Sequence, residues 1–250
     1  MFKAQQNIAT KPPELRRYGV EFDGVDDVLS TPKNLDYLQI SSGAATISFW
    51  VKIDTSGSKY IASETVNASN GWYIIASDNS VSFWVDSASG GTTVLNASWL
   101  VGGASVNRWT NYVISFKTPG SIKAYRDGIE STSYSAQDGD IPSALGTASG
   151  GIVFGKFIAW GAAQFFSDFQ MSEFVVYEGQ LTDELILTMY NKKEPFDHTN
   201  WTQAYRLRHL CTFGDLSGGD YWWTPADTQR NIAGLGGAHL KEIDHINYVR

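Results

Sequence analysis

The 250-residue sequence is poor in cysteine, proline and charge, and these shortages narrow what the chain can be. Its one cysteine, Cys211, rules out an intrachain disulfide framework and a cysteine-rich metal site. No run of about 18 apolar residues is present, so the sequence predicts no insertion into a membrane. Residues 1–7 lack the apolar core of a secretory signal, and we therefore expect a chain made in the cytoplasm without export.

Positive charge is also scarce, with 19 Lys and Arg against 26 Asp and Glu and a net charge of −7. Binding to phosphates needs a basic patch, which argues against nucleic acid as a partner. Apolar and aromatic side chains are abundant instead, at 42% and 14% of the residues. This composition is typical of a globular domain rich in strands. Aromatic residues that such a domain leaves at its surface favour sugar or protein contacts.

Alternation of apolar and polar residues predicts a series of short antiparallel strands. The clearest is 45–53, in which every second residue from Ile47 to Ile53 is a large apolar one. The segments 59–63, 71–76 and 80–85 repeat the pattern and are separated by Asn, Ser, Asp and Gly. Short strands at this spacing indicate a sandwich or jelly roll rather than β–α–β units.

These patterns divide the chain into three parts. Residues 1–17 are polar and without periodicity, and we expect an arm that docks on a neighbour or stays mobile. Residues 18–191 are predicted to be an all-β, antiparallel two-sheet jelly-roll sandwich with one short helix near 181–191, which begins at the N-cap Thr182. Residues 192–250 carry six Gly and three Trp with weak alternation, which predicts an irregular C-terminal extension.

Three segments far apart combine an acidic turn or an Asp-Gly pair with alternating apolar residues. The first, 22–27, reads Phe-Asp-Gly-Val-Asp-Asp. The second begins at Trp109 and ends with Tyr-Arg-Asp-Gly at 125–128, and the third runs from Phe-Ser-Asp to Val-Val-Tyr over 166–177. In order and spacing they resemble the laminin-G-like and pentraxin-like jelly rolls of the concanavalin-A-like lectin/glucanase group. The resemblance covers residues 18–191.

This resemblance implies a domain that binds, often to glycans, rather than one that catalyses. Two positions depart from the family pattern. Asp168 stands where the family has Gly, and Ser172 takes the place of the Asp in a family Asp-Glu pair. The loss of that Asp removes a carboxylate, and calcium sites are built from carboxylate and carbonyl oxygens.

The remaining candidates for a calcium site are Asp23, Asp26 and Asp27, three carboxylates within five residues. The alternative is a structural acidic turn, because Asp bends and caps chains without any metal. Glucanases of this fold carry a Glu-x-Asp-x-x-Glu strand, which the segment 21–26 approaches but ends in Asp. Gly24 would break such a strand, so we assign no catalytic residue and expect a protein that is not an enzyme.

Tryptophans are the candidate contacts for ligands and partners. Four lie near predicted loops or strand ends, where an indole can stack on a sugar ring, with burial in the core as the alternative: Trp72, Trp84, Trp99 and Trp160. Three in the extension are candidate anchors for a neighbouring subunit: Trp201, Trp222 and Trp223.

The extension adds a second resemblance. The stretches 207–215 and 220–223 look like tails that accompany such domains in phage structural proteins. We therefore predict a virion structural protein, made in the host cytoplasm, that decorates a capsid or belongs to a tail or fibre. Its partners would be other virion proteins, further copies of itself in a homo-oligomer, and host surface glycans. The alternatives are a free carbohydrate-binding lectin module and a glycan hydrolase.

Overall fold

The computed structural model describes residues 18–30, 43–67, 70–86, 93–100, 106–117, 121–139, 152–158, 164–190, 196, 201–203, 207–211, 221–224, 227–231 and 239–242. Within these ranges the chain forms two large antiparallel sheets, a short hairpin and one short helix. The predicted all-β sandwich is therefore confirmed. The predicted arm at 1–17 lies outside the described residues. None of the described helical structure is long and apolar enough for a membrane span.

The first sheet is built around the strand predicted at 45–53. Ten strands belong to it in the described part of the chain: β1 (Tyr18–Asp23), β3 (Ala44–Lys52), β8 (Trp109–Lys117), β9 (Ser121–Arg126), β10 (Ile129–Glu130), β15 (Asp168–Glu178), β16 (Leu207–Cys211), β17 (Tyr221–Thr224), β18 (Asp227–Asn231) and β19 (His239–Glu242). β3 lies between β8 and β15. Along its other edge, β15 pairs with β1 at 168–171 and with β16 at 174–177.

The second sheet consists of the short strands that the turn residues separate. Its seven strands in the described ranges are β2 (Leu29–Ser30), β4 (Lys59–Asn67), β5 (Asn70–Ala76), β6 (Ser80–Asp86), β7 (Thr93–Leu100), β11 (Tyr134–Gly139) and β12 (Val153–Phe154). From β4 to β7 each strand pairs with the next one along the chain. The strands predicted at 59–63, 71–76 and 80–85 are therefore confirmed as one meander.

The main core lies between the inner faces of the two sheets. Successive side chains on a strand point to opposite faces, so alternate residues of the central strands enter this core. Phe49 and Phe116 enter from the first sheet, and Trp72 and Phe83 enter from the second, all at 2% exposure or less. The rings of Phe83 and Phe116 stack across the gap with centroids 5.7 Å apart. Burial of each such side chain stabilises the fold by about 1.5–3 kcal/mol.

A second apolar cluster covers the outer face of the first sheet. It forms where the helix α1 (Asp183–Tyr190) and the segment leading into it pack on the sheet. The buried members of the cluster, from the sheet and from the helix side together, are Val113, Tyr125, Val175, Tyr177, Leu181, Ile186 and Met189. Because of this cover, β3 and β8 are buried along both faces except at their final residues. Trp50, which alternation places on the outer face, stacks on Tyr190 of the helix at 5.7 Å.

The N-terminus of α1 is held by local hydrogen bonds. Thr182 caps the helix as predicted, since its Oγ1 accepts the N–H of Leu185 at 3.4 Å. The Tyr125 hydroxyl donates to Asp183 Oδ1 at 2.7 Å and so links β9 to the first turn. Burial, followed by this bond to a carboxylate, raises the pKa of Tyr125 well above its usual range. The hydroxyl therefore stays protonated and remains a donor.

The C-terminal extension predicted at 192–250 contains four described strands that the sequence did not predict. β16, β17 and β18 continue the first sheet, and β19 pairs with β1. Each of these strands has four or five residues. A pattern with a period of two shows poorly over so few positions, and backbone pairing with a preformed sheet determines these strands instead.

Gly155 offers a test of how the residue after β12 packs on β1. Its φ is 78°, and a Cβ there would lie 2.3 Å from Cδ1 of Phe22. Gly57 also has a positive φ, 114°, but a Cβ there would meet nothing within 4 Å. We expect Gly155→Ala to lower the free energy of unfolding by ~1–3 kcal/mol more than Gly57→Ala, because only the first adds an overpacked methyl group. Urea denaturation measures both, and equal losses would contradict this packing.

Candidate functional site

The outer face of the second sheet carries aromatic side chains that point away from the main core. In β5, Trp72 is buried in the core, whereas its neighbour Tyr73 is half-buried on the opposite face. In β6, Phe83 enters the core and Trp84 is half-buried on the outer face. Tyr60 of β4 lies on the same outer face and is also half-buried. Strand alternation therefore brings three aromatic residues from three neighbouring strands to one surface.

Five rings on this surface form one cluster, which we call the aromatic face: Tyr60, Tyr73, Trp84, Phe157 and Phe165. Tyr73 and Trp84 lie nearly parallel, with centroids 5.7 Å apart. Tyr60 stacks on Phe157 at 4.6 Å, and Tyr73 contacts Phe157 at the same distance. Phe165 lies 5.8 Å from Tyr60 and is 45% exposed. Each such pair contributes about 0.5–1.5 kcal/mol beyond burial, so the rings hold one another in place.

A short hairpin supplies the two phenylalanines of the aromatic face. Its strands are β13 (Lys156–Ile158) and β14 (Gln164–Phe166), and Phe157 pairs with Phe165 in register. Paired residues point to the same side, here toward the two tyrosines of the face. The Ser63 hydroxyl donates to the carbonyl of Lys156 at 3.3 Å and helps to fasten the hairpin to β4. Lys156 and Phe166 pair on the hairpin's other side, where Nζ lies 5.4 Å from the Phe166 centroid.

Trp84 forms one end of the stack. In the described ranges its indole has a single ring contact, with Tyr73. Its Nε1 is buried and has no hydrogen-bond partner among the described residues. A buried donor left without a partner costs about 1–3 kcal/mol. Because the N–H is buried, Trp84 presents ring surface rather than a hydrogen-bond donor to a ligand.

The four tryptophans predicted to contact a ligand lie in different parts of the molecule. Trp84 lies on the aromatic face. Trp72 and Trp99 are 1% and 0% exposed and belong to the main core, so burial corrects the prediction that they stack on a sugar. Trp72 uses its Nε1 to donate to Glu64 Oε2 at 2.9 Å. Trp160 lies outside the described residues. The correction follows from alternation, because Trp72 shares the inward face of its strand with the other core residues.

The remaining members of the aromatic face were missed by the sequence prediction, which considered tryptophans alone. For Tyr73 a signal was present, because an aromatic residue next to an inward-pointing Trp72 on a strand must point outward. For Phe157 and Phe165 no such signal existed. They come from a hairpin of three-residue strands, and its position on β4 is a tertiary contact.

The tryptophans predicted as partner anchors lie on the side of the first sheet. Trp201 is half-buried, with its ring edge-on to Tyr177 at 5.5 Å and to Phe196 at 4.9 Å. It therefore packs the extension against the second apolar cluster. Trp222 and Trp223 lie in β17, and the description of that strand covers its backbone only. Their role as anchors stays a prediction.

The acidic turn after β1 brings Asp23, Asp26 and Asp27 together, as the sequence predicted. One carboxylate oxygen from each lies within 4.8 Å of the others. Asp23 Oδ1 accepts the N–H of Val25 at 2.7 Å, and Asp27 Oδ2 accepts the N–H of Asp23 at 2.9 Å. These bonds give the turn a structural role that needs no metal.

The free oxygens of the turn nevertheless suit a hard cation. Calcium takes six to eight oxygen ligands at about 2.3–2.6 Å, so one ion can reach oxygens that lie 4.8 Å apart. Among the described residues, neither oxygen of Asp26 accepts a hydrogen bond within the turn, and Asp23 and Asp27 each keep one oxygen free. Carbonyls or water would have to complete the shell. A calcium ion here stays a prediction.

The same turn does not form a glucanase-like catalytic strand. Glu21 and Asp23 lie two residues apart on β1 and share one of its faces. Gly24 then adopts a φ of 78° and turns the chain, so Asp26 lies in the turn and not on the strand. The break expected at Gly24 is therefore present, and we assign no catalytic residue.

Asp168, a departure from the family pattern, joins the two sheets near this turn. Its carboxylate accepts hydrogen bonds from the Lys59 ammonium and, at 2.7 Å, from Thr55 Oγ1. Burial alone would raise the pKa of Asp168, but the bonds from Lys59 and Thr55 outweigh it and lower the pKa. Because Lys59 opens β4 and Asp168 opens β15, the ion pair crosses the end of the sandwich.

The sequence was compared with models of known protein families to find which family it belongs to. Residues 23–187 match the model for the concanavalin A-like lectin/glucanases superfamily. The chain belongs to this superfamily. The matched span begins at the last residue of β1 and ends inside α1, so it contains β2 to β15 and stops before the C-terminal extension. No curated protein sequence matches the chain.

Solved structures share the fold at low identity. One is a protein from Bacteroides ovatus ATCC 8483 proposed to bind carbohydrate, with a TM-score of 0.59, 15% identity, and 92% of this chain and 61% of that chain covered. Another is the heptameric SAP-like pentraxin from Limulus polyphemus, with a TM-score of 0.44 and 16% identity, and with 72% of this chain and 78% of that chain covered. A third is the CBM40 domain of the Ruminococcus gnavus IT-sialidase bound to alpha2,3 sialyllactose, with a TM-score of 0.47 and 10% identity. The match covers 69% of this chain and 97% of that chain. These identities show a common fold alone.

The calcium prediction is tested by thermal unfolding with calcium or with a chelator. Calcium at about 100 times its Kd would stabilise the folded chain by ~2.7 kcal/mol and raise Tm. Asp26→Asn should abolish most of that rise, because it removes a free ligand and leaves the bonds of Asp23 and Asp27 in place. If calcium leaves the Tm of the unsubstituted protein unchanged, the turn has a structural role only.

Proposed function

We propose that the protein is a non-enzymatic carbohydrate-binding domain that holds a saccharide against the aromatic face. The observation that carries the proposal is the packed set of five rings on the outer side of the second sheet. Three of these rings are half-buried, and Phe165 is 45% exposed. Surface aromatic residues packed in this way resemble a prepared contact surface rather than an incomplete core.

The chemistry of a sugar ring suits this surface. A pyranose has an apolar face of C–H groups and a rim of hydroxyls. The C–H groups are attracted to the negative face of an aromatic ring, and the hydroxyls remain available to water or polar side chains. Because the rings support one another, little side-chain entropy has to be lost when a ligand binds.

The opposite side of the sandwich is less suited to this role. There the outer face of the first sheet is occupied by α1, and Trp50 is 2% exposed beneath Tyr190. Membership in a superfamily of lectins and glucanases adds support for glycan binding, as does the fold shared with the Bacteroides ovatus protein.

Paired tryptophan variants test the binding surface. We expect Trp84→Ala to weaken binding to the best ligand on a glycan array by at least about tenfold, equivalent to ~1.4 kcal/mol, because it removes the end of the stack. Trp201→Ala is the matched control: it removes a half-buried indole from the opposite side of the sandwich. It should lower Tm without changing affinity. Isothermal titration calorimetry gives both affinities, and unchanged binding by Trp84→Ala would refute the proposed surface.

The second part of the proposal concerns where the domain works. We infer that it is a virion structural protein, part of a capsid decoration or of a tail or fibre, that presents this surface to host glycans. Support comes from the resemblance of 207–215 and 220–223 to tails of phage structural proteins. The pairing of β16, β17 and β18 with the first sheet adds to it, because an extension anchored in the sandwich can carry the domain on a larger assembly.

Mass spectrometry of purified particles tests this placement. We expect the chain in virions at a fixed ratio to the major capsid protein, and an oligomer in light scattering of the isolated protein. An isolated monomer that binds glycans and is absent from particles would favour the alternative, a free carbohydrate-binding lectin module.

A further inference from the structure

As far as the described residues show, the stack of rings on the aromatic face has an open end at Trp84. In register, Trp84 lies between Tyr73 of β5 and Asn96 of β7. Tyr73 covers the β5 side of the indole at 5.7 Å. Among the described residues no other ring contacts the indole, so its β7 side is the place where a further ring can extend the stack. A ligand ring on that side would continue the series of contacts that the protein begins.

A pair of hydroxyls lies beside that open end. Ser82 precedes Trp84 by two residues on β6 and therefore shares its outer face, about 6.6 Å away along the strand. Ser98 lies opposite Ser82 on β7, and its Oγ donates to Ser82 Oγ at 2.7 Å. Ser82 is half-buried, and its own hydroxyl hydrogen has no acceptor among the described residues. Because it accepts a bond from Ser98, that hydrogen is a polarised and stronger donor.

Among the described residues, no positively charged side chain faces this end. No Lys or Arg occurs in β5, β6, β7 or β11, while Asp78 lies in the turn between β5 and β6. Lys59, at the start of β4, is paired with Asp168. Lys156 lies with Phe166 on the side of its hairpin that faces away from the aromatic face. An anionic sugar would meet no cation among the residues that the structure describes here, and a carboxylate buried without a partner is costly.

From this geometry we propose that the sugar stacks on the β7 side of Trp84, that Ser82 donates to an oxygen on its rim, and that the site selects neutral over anionic saccharides. The inference rests on the proposed carbohydrate binding and adds to it a position, a specificity-determining residue and a ligand class. Hydrogen-bond donors that meet a defined sugar oxygen discriminate between sugars more strongly than stacking alone.

A glycan array with matched neutral and sialylated members, such as lactose and sialyllactose, tests the ligand class. We expect the neutral member of each pair to bind at least about tenfold more tightly. Ser82→Ala should then weaken the best neutral ligand about fivefold, as expected for loss of one neutral hydrogen bond. Ser56→Ala, a change at an exposed serine of the β3–β4 loop, is the control and should leave affinity unchanged.

The variants separate failure of this inference from failure of the proposed function. If Trp84→Ala abolishes binding while Ser82→Ala binds as the unsubstituted protein does, carbohydrate binding stands and the role of Ser82 is refuted. Tighter binding of the sialylated members would refute the neutral class. A protein that binds no glycan on the array would overturn both the inference and the proposed function.

Discussion

A β-strand sends side chains to two faces, and this constraint organises the whole molecule. Two sheets that pack together bury their inner faces and leave two outer faces. These outer faces differ in what covers them. The first sheet is covered by α1 and the residues around it, so its central strands are buried on both sides. The second sheet keeps an outer surface on which aromatic rings pack mainly against one another.

This difference in cover is the reason that saccharide binding is proposed only for the outer face of the second sheet. Under α1, Trp50 and Tyr125 are buried and act as framework. On the second sheet, Tyr73 and Trp84 stay half-buried because nothing in the described part of the chain lies over them apart from the short β13–β14 hairpin. That hairpin stiffens the surface without closing it, since Phe157 is buried in the stack while Phe165 remains 45% exposed.

The end of the sandwich near the acidic turn shows how a departure from a family pattern can gain a structural use. Asp168 replaces a glycine and binds Lys59 and Thr55, which ties the first sheet to the second. Asp23 and Asp27 accept backbone N–H groups and shape the turn. The carboxylates that suggested metal or catalytic chemistry are thus largely occupied by folding roles. Of the three carboxylates, Asp26 accepts no hydrogen bond within the described turn.

The sequence by itself determined the fold class, the inward-facing residues of the long strands and the capped helix, because these follow from local periodicity and capping. It also placed the acidic turn, since its residues are neighbours in the chain. Tertiary structure decided which tryptophans are accessible, because the packing of the two sheets buries Trp72 and the cover of α1 buries Trp50. It also decided that the C-terminal extension forms strands, whose short segments gain order from an existing sheet edge. The aromatic face likewise exists only in the folded protein, because its rings come from three strands and a hairpin that are brought together by packing rather than by sequence spacing.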